Sequence, residues 1–475
     1  MDRSSRRART KRSQREVRSN AGATQADGLR QALEWFTRDA SLTKVALHGN
    51  VVWQPAQLVA LAVLWAWSDQ QTLTGAFIQA CDLAQGMFGE VALTTYQGLT
   101  GALRTHGQKL LAIFELAWHQ KMEQAAGAYW RIGGWLALAV DGSRISTPRT
   151  KSNEQAFAIP NYGFGAKARR RNKWKNKKRR SKKLSAPVKP QIWLTLIWHV
   201  GMKMPWCWRT GPSTASERQH VQEMIDSRDF PENTLFCGDA GFIGYDFWKS
   251  ILARNHHFLI RVGGNVRLLR KLGVARQRAG IVHLWPDTVQ RKLQPPLTLR
   301  LLEFQGPRGK VCLVTSILSE HALSDSQARQ LYRLRWGVEL QFRALKQTFG
   351  RGTLRSRTAE NALVELDWSL VGLWLIQLYA TREQIQFDSP PEQSSVALAI
   401  QVIQGAMRNW AGVQSKPREL RRRLARARKD VYLRRSSKQA RYRPNYKDAP
   451  TATVPILVAA TIKQRKAYAA LKHAA

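Results

Sequence analysis

The chain has 475 residues, with 76 Lys and Arg against 33 Asp and Glu, which gives a formal net charge of +43. Such an excess favours a polyanionic partner, and nucleic acid is a better candidate than an anionic membrane. The longest apolar runs, Leu58–Trp67 and Ser369–Ala380, are shorter than the roughly 20 residues that cross a bilayer, so no membrane role is expected.

The first quarter of the chain is predicted to be helical behind a basic tail. Residues 1–25 have almost no apolar side chains and are predicted to form a disordered basic arm. Residues 26–125 show helical apolar spacing, which predicts a helical region that binds DNA. Stretches 74–84 and 93–103 flank a turn-rich link and fit a helix-turn-helix, although such hairpins are common without DNA contact.

Strands and helices alternate from residue 126, which predicts an α/β core whose first part covers 126–263. The apolar run Trp135–Val140 is predicted to be a buried strand that ends at Asp141. A later strand is predicted to end at Asp239 in the same way. Strand-end aspartates followed by small residues are often only turn residues, so each one alone is weak evidence for a site.

A strongly basic segment, 165–184, interrupts the predicted strands and contains no carboxylate. A run this basic is expected to protrude as a loop. Its Trp174 and the charge of the whole chain favour a loop that grips a DNA backbone over one that is only solvated. The residues expected to contact DNA there are Arg169, Arg170, Arg171 and Lys173.

The second half is predicted to contain an insertion, the rest of the core and a basic tail region. Residues 264–318 alternate apolar and polar side chains, which predicts a β-rich insertion. The core resumes over 319–385, and 386–475 is predicted to be a basic, helical C-terminal region.

One predicted helix, 328–346, carries an apolar stripe and a polar flank. On a regular α-helix Tyr332, Arg335, Glu339 and Lys346 fall within an arc of roughly 60°. An ordinary solvated helix face would look similar. In this chain the flank combines a carboxylate that can bind a divalent metal with cations and a phenol that can bind phosphate.

Asp141, Asp239 and Glu339 together predict a metal-dependent site. Three carboxylates that converge repel one another unless cations lie between them. Oxygen-only ligands favour Mg²⁺, with two ions expected and Mn²⁺ as a substitute.

Three motifs give the chain a family resemblance: Asp141-Gly-Ser-Arg-Ile, Gly238-Asp239-Ala-Gly-Phe242, and a Tyr–Arg–Glu–Lys signature running from Tyr332 to Lys346. The sequence resembles bacterial DDE transposases of the insertion-sequence-four family over about 130–350. The resemblance implies an α/β fold with a ribonuclease-H-like core and a β-rich insertion, flanked by helical N-terminal and C-terminal regions.

The resemblance also implies roles for single residues. Asp141, Asp239 and Glu339 would be catalytic and ligate the metals, and Tyr332, Arg335 and Lys346 would hold phosphates near the element's end. Trp285 would stack on a flipped base, although a core position in a strand explains it equally well. The segment that follows the first motif either lines the site or forms an ordinary loop, and its candidate site residues are Arg149, Thr150, Asn153 and Glu154.

We therefore expect a transposase that binds double-stranded DNA at terminal inverted repeats, cuts the ends and joins the 3′-hydroxyls to target DNA. A homodimer in the DNA complex and a cytoplasmic, nucleoid-associated location in a bacterium are expected with it. The alternatives are a structure-selective nuclease on the same fold and a domesticated, catalytically silent DNA-binding protein. The presence of all three carboxylates disfavours a catalytically silent protein. A structure-selective nuclease would not need the Tyr–Arg–Glu–Lys signature, so that signature disfavours the nuclease.

Overall fold

The computed structural model describes residues 28–38, 51, 53–158, 190–273, 280–306, 309–410, 417–429 and 454–474. The predicted basic arm lies outside these residues, as does the basic segment with Arg169, Arg170, Arg171 and Lys173. The chain divides into two compact units. One comprises residues 1–117, 375–388 and 394–428, and the other 118–374, 389–393 and 429–475.

The helices of the described residues are α1 (Gly28–Thr37), α2 (Pro55–Trp67), α3 (Leu73–Phe88), α4 (Tyr96–Ala126), α5 (Lys151–Phe157), α6 (Glu217–Ser227), α7 (Tyr245–Ala253), α8 (Asp287–Arg291), α9 (Asp325–Arg335), α10 (Gly337–Arg343), α11 (Ala359–Ile385), α12 (Val396–Arg408), α13 (Pro417–Ala425) and α14 (Ile462–Ala474). The strands are β1 (Leu136–Ser146), β2 (Gln191–His199), β3 (Met204–Gly211), β4 (Thr234–Gly238), β5 (His257–Val262), β6 (Arg267–Arg270), β7 (Ile281–Leu284), β8 (Leu297–Gly306), β9 (Gly309–Thr315) and β10 (Ile456–Ala459).

The first unit is helical in its described part. Its α2 is apolar around most of its circumference and is buried from Leu58 to Trp67, as expected for a central core helix. A buried carboxylate, Glu383, lies between the guanidinium groups of Arg382 and Arg421, which offset the cost of burying its charge.

The second unit contains a ten-stranded mixed sheet in the order β10-β6-β7-β8-β9-β5-β4-β1-β2-β3. Strands β1, β4 and β5 are parallel to one another, and β2 and β3 continue from β1 as antiparallel neighbours. Beyond β5, strands β6 to β9 pair antiparallel. The described strands and helices thus make an α/β fold in which β4 and β1 are neighbours inside the sheet, flanked by β5 on one side and β2 on the other.

Four features of the fold differ from the sequence prediction. The helix predicted over 93–103 begins at Tyr96 and continues to Ala126 as α4. Strand β1 continues through Asp141 to Ser146, because β2 pairs with it over that whole length. The long helix predicted over 328–346 is interrupted. Strand β10 pairs with β6 at the sheet edge, far from it in sequence, and no local pattern had indicated a strand there.

Helix α11 is the one described helix that is long and apolar enough to cross a membrane. In its most apolar window, 94% of the residues are buried inside the protein. Burial of this kind is what a core helix shows, in agreement with the interpretation of its apolar run from the sequence.

Candidate active site

The two aspartates of the predicted site lie at matching positions, Asp141 within β1 and Asp239 directly after the end of the neighbouring β4. Strand β1 pairs in parallel with β4 from Leu136 to Ala139, and Ala139 faces Cys237. Asp141 and Asp239 each follow two residues later, where β4 has ended and β1 continues. The parallel register therefore places both carboxylates at one edge of the sheet, as the sequence predicted, although Asp141 lies within its strand.

Each aspartate accepts a local backbone hydrogen bond that orients its side chain. Asp141 Oδ1 accepts from the Gly142 amide at 2.9 Å, and Asp239 Oδ1 accepts from the Gly241 amide at 2.7 Å. Burial raises the pKa of Asp141 to about 6, and the negative charges of Asp239 and Glu339 add to the shift. The Gly142 amide and Arg335 oppose that shift. Asp141 is thus held in a region of concentrated negative charge.

Glu339 lies on α10, just after the helix breaks at Trp336. The Trp336 amide donates to the Arg333 carbonyl and the Glu339 amide to the Trp336 carbonyl, bonds that span three residues and tighten the backbone locally. Five residues later the chain widens into a π-helical turn over Ala344–Thr348. The four signature residues therefore do not lie on the one regular α-helix that the sequence predicts. Glu339 nevertheless interacts electrostatically with Asp141 and Asp239.

Arg335 is a buried cation beside the carboxylates. Its side chain is 9% exposed, and its guanidinium lies 3.9 Å from Glu339 Oε1 and 5.4 Å from the centre of the Tyr332 ring. Within the described residues its Nε–H has no hydrogen-bond acceptor. A buried donor of this kind is costly unless a ligand uses it, and an anionic oxygen is the natural acceptor.

Lys346 lies in the π-helical turn and reaches back to β1. Its Nζ donates to Ser143 Oγ at 2.5 Å. Burial lowers the pKa of the ammonium, and the negative charge of Asp141 opposes that shift. The structure therefore brings Lys346 and Arg335 to the same side of the sheet as Asp141.

A fourth carboxylate, Glu217, lies at the site and was not predicted to belong to it. It is the first residue of α6, whose N-cap is Ser216. Burial raises the pKa of Glu217 to about 7, and Asp141 and Asp239 add to the shift. The one local signal in the sequence is an acidic residue in a first helical turn, and that signal usually means only helix capping.

The donor set suits a hard divalent cation, since it consists of carboxylate oxygens that repel one another. As the side chains stand, no three acidic, histidine or cysteine groups of the described residues are grouped to hold one metal ion. Asp141, Asp239 and Glu339 are nevertheless close enough to interact electrostatically.

The other predicted site residues have structural partners. Trp285 is 4% exposed, its Nε1 donates to the Gln294 carbonyl at 2.8 Å, and Tyr468 contacts its ring. This is the core position that we weighed against base stacking, and the stacking role stays a prediction. The buried Asn153 donates to the Pro148 and Ser356 carbonyls, and Arg149 pairs with Glu154.

Comparison with known proteins gives the family. The profile of the family described as Transposase DDE domain matches residues 136–375, slightly more than half of the chain. The chain belongs to the DDE transposase family. The resemblance to insertion-sequence-four transposases is confirmed by a relative, transposase InsG for insertion sequence element IS4 of Escherichia coli (strain K12).

The chain is 27% identical to InsG over 248 residues, which are 50% of this chain and 50% of InsG. The match thus spans about half the length of that relative. Among solved structures, the piggyBac transposase synaptic complex with hairpin DNA aligns with 86% of this chain and 86% of its own, at 12% identity and a TM-score of 0.38.

Proposed function

We propose that this protein is a DNA transposase that binds the terminal inverted repeats of its own element, hydrolyses phosphodiester bonds at the ends and transfers the freed 3′-hydroxyls into target DNA. The observation that carries this proposal is the electrostatic interaction among Asp141, Asp239 and Glu339, near which Arg335 and Lys346 also act on Asp141. Membership of the DDE transposase family supports it.

The proposed fold of the catalytic unit is a ribonuclease-H-like core made by β1 to β5 with α6, α7, α9 and α10, into which β6 to β9 are inserted. The mixed sheet and the strand order support this assignment. In such a core the sheet fixes the two aspartates, and the helix after the insertion supplies Glu339.

The cations and the phenol of the signature are proposed to bind the DNA backbone. Arg335 is buried and has an unused Nε–H donor, so it would donate to a phosphate oxygen with little loss of side-chain freedom. Lys346 is held by Ser143 and would supply a point charge beside Asp141. Tyr332, on the same helix turn as Arg335, would donate its hydroxyl to a phosphate oxygen.

Asp141, Asp239 and Glu339 would hold the divalent cations, two Mg²⁺ ions by our proposal, with Mn²⁺ as a substitute. When bound, such ions activate the attacking hydroxyl group and stabilise the leaving oxygen. The protein's own contribution is to keep these carboxylates at one edge of the sheet, where the charges of Arg335 and Lys346 limit their mutual repulsion.

The partners proposed are double-stranded DNA, at both inverted repeats and target, and a second copy of the chain, because each element end needs its own active site. Arg169, Arg170, Arg171 and Lys173 are proposed to contact the DNA backbone, and Trp285 to stack on a flipped base. For that role the indole of Trp285 would have to leave the core position that it occupies here.

The test begins with the DNA that flanks the gene, which should contain short terminal inverted repeats bordered by a short direct duplication. With those repeats as substrate, Asp141→Ala should lower Mg²⁺-dependent end cleavage by about 10³-fold or more and leave end binding unchanged. Asp246→Ala, at an exposed aspartate on α7, is the matched control and should cut normally. Normal cleavage by Asp141→Ala would exclude the proposed site.

A further inference from the structure

The side chain of Glu217 lies directly over the residue that follows Asp141. A Cβ atom built on Gly142 would be 2.7 Å from Glu217 Cγ and 2.7 Å from its Oε1. Gly142 lies within β1 and is not among the glycines with positive φ, so its backbone does not require glycine. The missing side chain leaves the space that Glu217 occupies.

Glu217 also faces the second aspartate. A Cβ built on Gly241 would lie 3.0 Å from Asp239 Oδ1 and 4.0 Å from Glu217 Oε2, so both oxygens surround one small volume. Two glycines, one beside each catalytic aspartate, therefore border the Glu217 carboxylate.

The charge of Glu217 is poorly compensated by the protein. The cation that acts on it is Arg144, whose guanidinium is exposed and stacks 4.8 Å from the centre of the Trp193 ring. Within the described residues, no hydrogen bond or salt bridge to the Glu217 carboxylate is found. A half-buried carboxylate that faces Asp141 and Asp239 without a partner adds to their repulsion unless a cation joins them.

We propose that Glu217 is a fourth carboxylate ligand of the divalent cations at this site, an inference that rests on the proposed function. Helix α6 would hold it in place through the Ser216 cap, and Gly142 would give it room. The site would then draw its ligands from four elements of the fold: β1, the end of β4, α6 and α10.

The test measures Mn²⁺ binding to the full chain without DNA, by electron paramagnetic resonance of the free ion. Glu217→Gln keeps the shape and removes the charge, and it should weaken Mn²⁺ binding by about 10- to 100-fold. Because it also removes a repelling charge, the metal-free Tm should stay equal or rise. A purely structural role would instead lower the metal-free Tm and leave the Mn²⁺ affinity unchanged.

Two comparisons make the outcomes separable. Glu223→Gln, on the same helix but paired with Arg209, should bind Mn²⁺ like the unmodified protein. Asp141→Asn reports on the proposed function itself. If Asp141→Asn weakens Mn²⁺ binding and Glu217→Gln does not, only the fourth ligand is overturned. If neither variant changes Mn²⁺ binding, both the fourth ligand and the metal site of the proposed function are overturned.

Gly142→Ala tests the same inference without removing any carboxylate. The added methyl group should displace the Glu217 side chain and weaken Mn²⁺ binding as Glu217→Gln does. In a Glu217→Ala background the obstruction is gone, so Gly142→Ala should add nothing further. Additive losses in the double variant would show that Gly142 acts on Asp141 alone, and would overturn the inference.

Discussion

At the residue scale, the site concentrates negative charge and holds cations where they oppose it. Burial raises the pKa of Asp141 and of Glu339, and Arg335 opposes both shifts. Lys346 reaches Asp141 from the π-helical turn and is anchored on Ser143. Each cation therefore stabilises the carboxylates and keeps donors available for an anionic ligand.

Lys346 should matter through its charge more than through its hydrogen bond. Lys346→Met removes the ammonium group and should lower end cleavage by about 10²- to 10³-fold. Ser143→Ala removes only the anchor and should cost far less, because the ammonium group remains. Single-turnover cleavage of pre-bound DNA ends measures both. Equal decreases in the two variants would mean that Ser143 positioning, and not charge, is what the site needs.

The proximity of Asp141, Asp239 and Glu339 was predictable from sequence because each lies in one of the three motifs that carry the family resemblance, and their role as metal ligands stays a prediction. The position of Glu217 was not predictable, since nothing near it in sequence shows that α6 starts above Gly142. Its position depends on how α6 packs against β3 and β2 and brings Glu217 over Gly142 of β1, which is a property of the assembled sheet.

His199 provides a pH response unrelated to the active site. It is fully buried, its Nδ1 accepts from the Met202 amide at 3.0 Å, and burial lowers its pKa to about 3. In the unfolded chain the pKa is about 6.5. Between these values the unfolded state binds a proton that the folded state excludes, so stability is complete above about pH 6.5 and falls as the pH decreases towards 3.

Unfolding by urea at pH 7 and pH 5 should show this decrease in stability. His199→Asn keeps a hydrogen-bond acceptor that does not titrate. Between pH 7 and pH 5 the free energy of unfolding of this variant should fall by about 2 kcal/mol less than that of the unmodified protein. His321→Asn, at an exposed histidine, should behave like the unmodified protein. Parallel decreases in all three proteins would mean that other groups cause the acid sensitivity.

At the element scale, the break between α9 and α10 sets the position of Glu339. A Cβ on Gly337 would lie 2.0 Å from the ring of Trp198, which is 2% exposed on β2. The helix therefore approaches the sheet at a glycine, directly after the tightened turn at Trp336. Local periodicity predicted a single helix because it cannot detect packing against a tryptophan so far away in sequence.

Gly337→Ala should therefore destabilise the protein by about 1–3 kcal/mol through overpacking against Trp198. It should also lower cleavage, since Glu339 would be displaced. Gly405→Ala in α12 is the matched control, because nothing lies within 4 Å of its added methyl group. That change should leave stability equal or higher by about 0.5–1 kcal/mol. Thermal unfolding compares the two, and a fully stable Gly337→Ala variant would contradict this account of the break.

Strand positions were predicted best where burial is continuous. Apolar runs predict strands over 192–200, 257–262 and 310–316. Strand β5 has the second of these bounds, and β2 and β9 agree with the other two within one residue, because buried strands appear in the sequence as apolar runs. The extension of β1 and the pairing of β10 with β6 were missed, since both depend on partner strands and not on local sequence.

At the scale of the whole molecule, the net charge of +43 sets how DNA binding should respond to salt. Each phosphate that the protein neutralises releases counterions, so the logarithm of the binding constant falls with the logarithm of salt concentration by about 0.9 for each such phosphate. A chain with this excess should bind DNA of any sequence tightly at low salt. Specific recognition of element ends should be measurable only where salt has weakened that background.

The salt slope identifies which basic residues bind the DNA backbone. Replacing Arg169, Arg170, Arg171 and Lys173 with serine should lower the slope by about 0.9 for each phosphate that is no longer neutralised, up to about 3.6. The matched control removes four exposed basic residues of the β-rich insertion: Arg267, Lys271, Arg291 and Lys292. Its slope should stay close to that of the unmodified protein. Fluorescence anisotropy over a salt series measures both variants, and equal decreases would mean that total charge, and not this basic segment, governs binding.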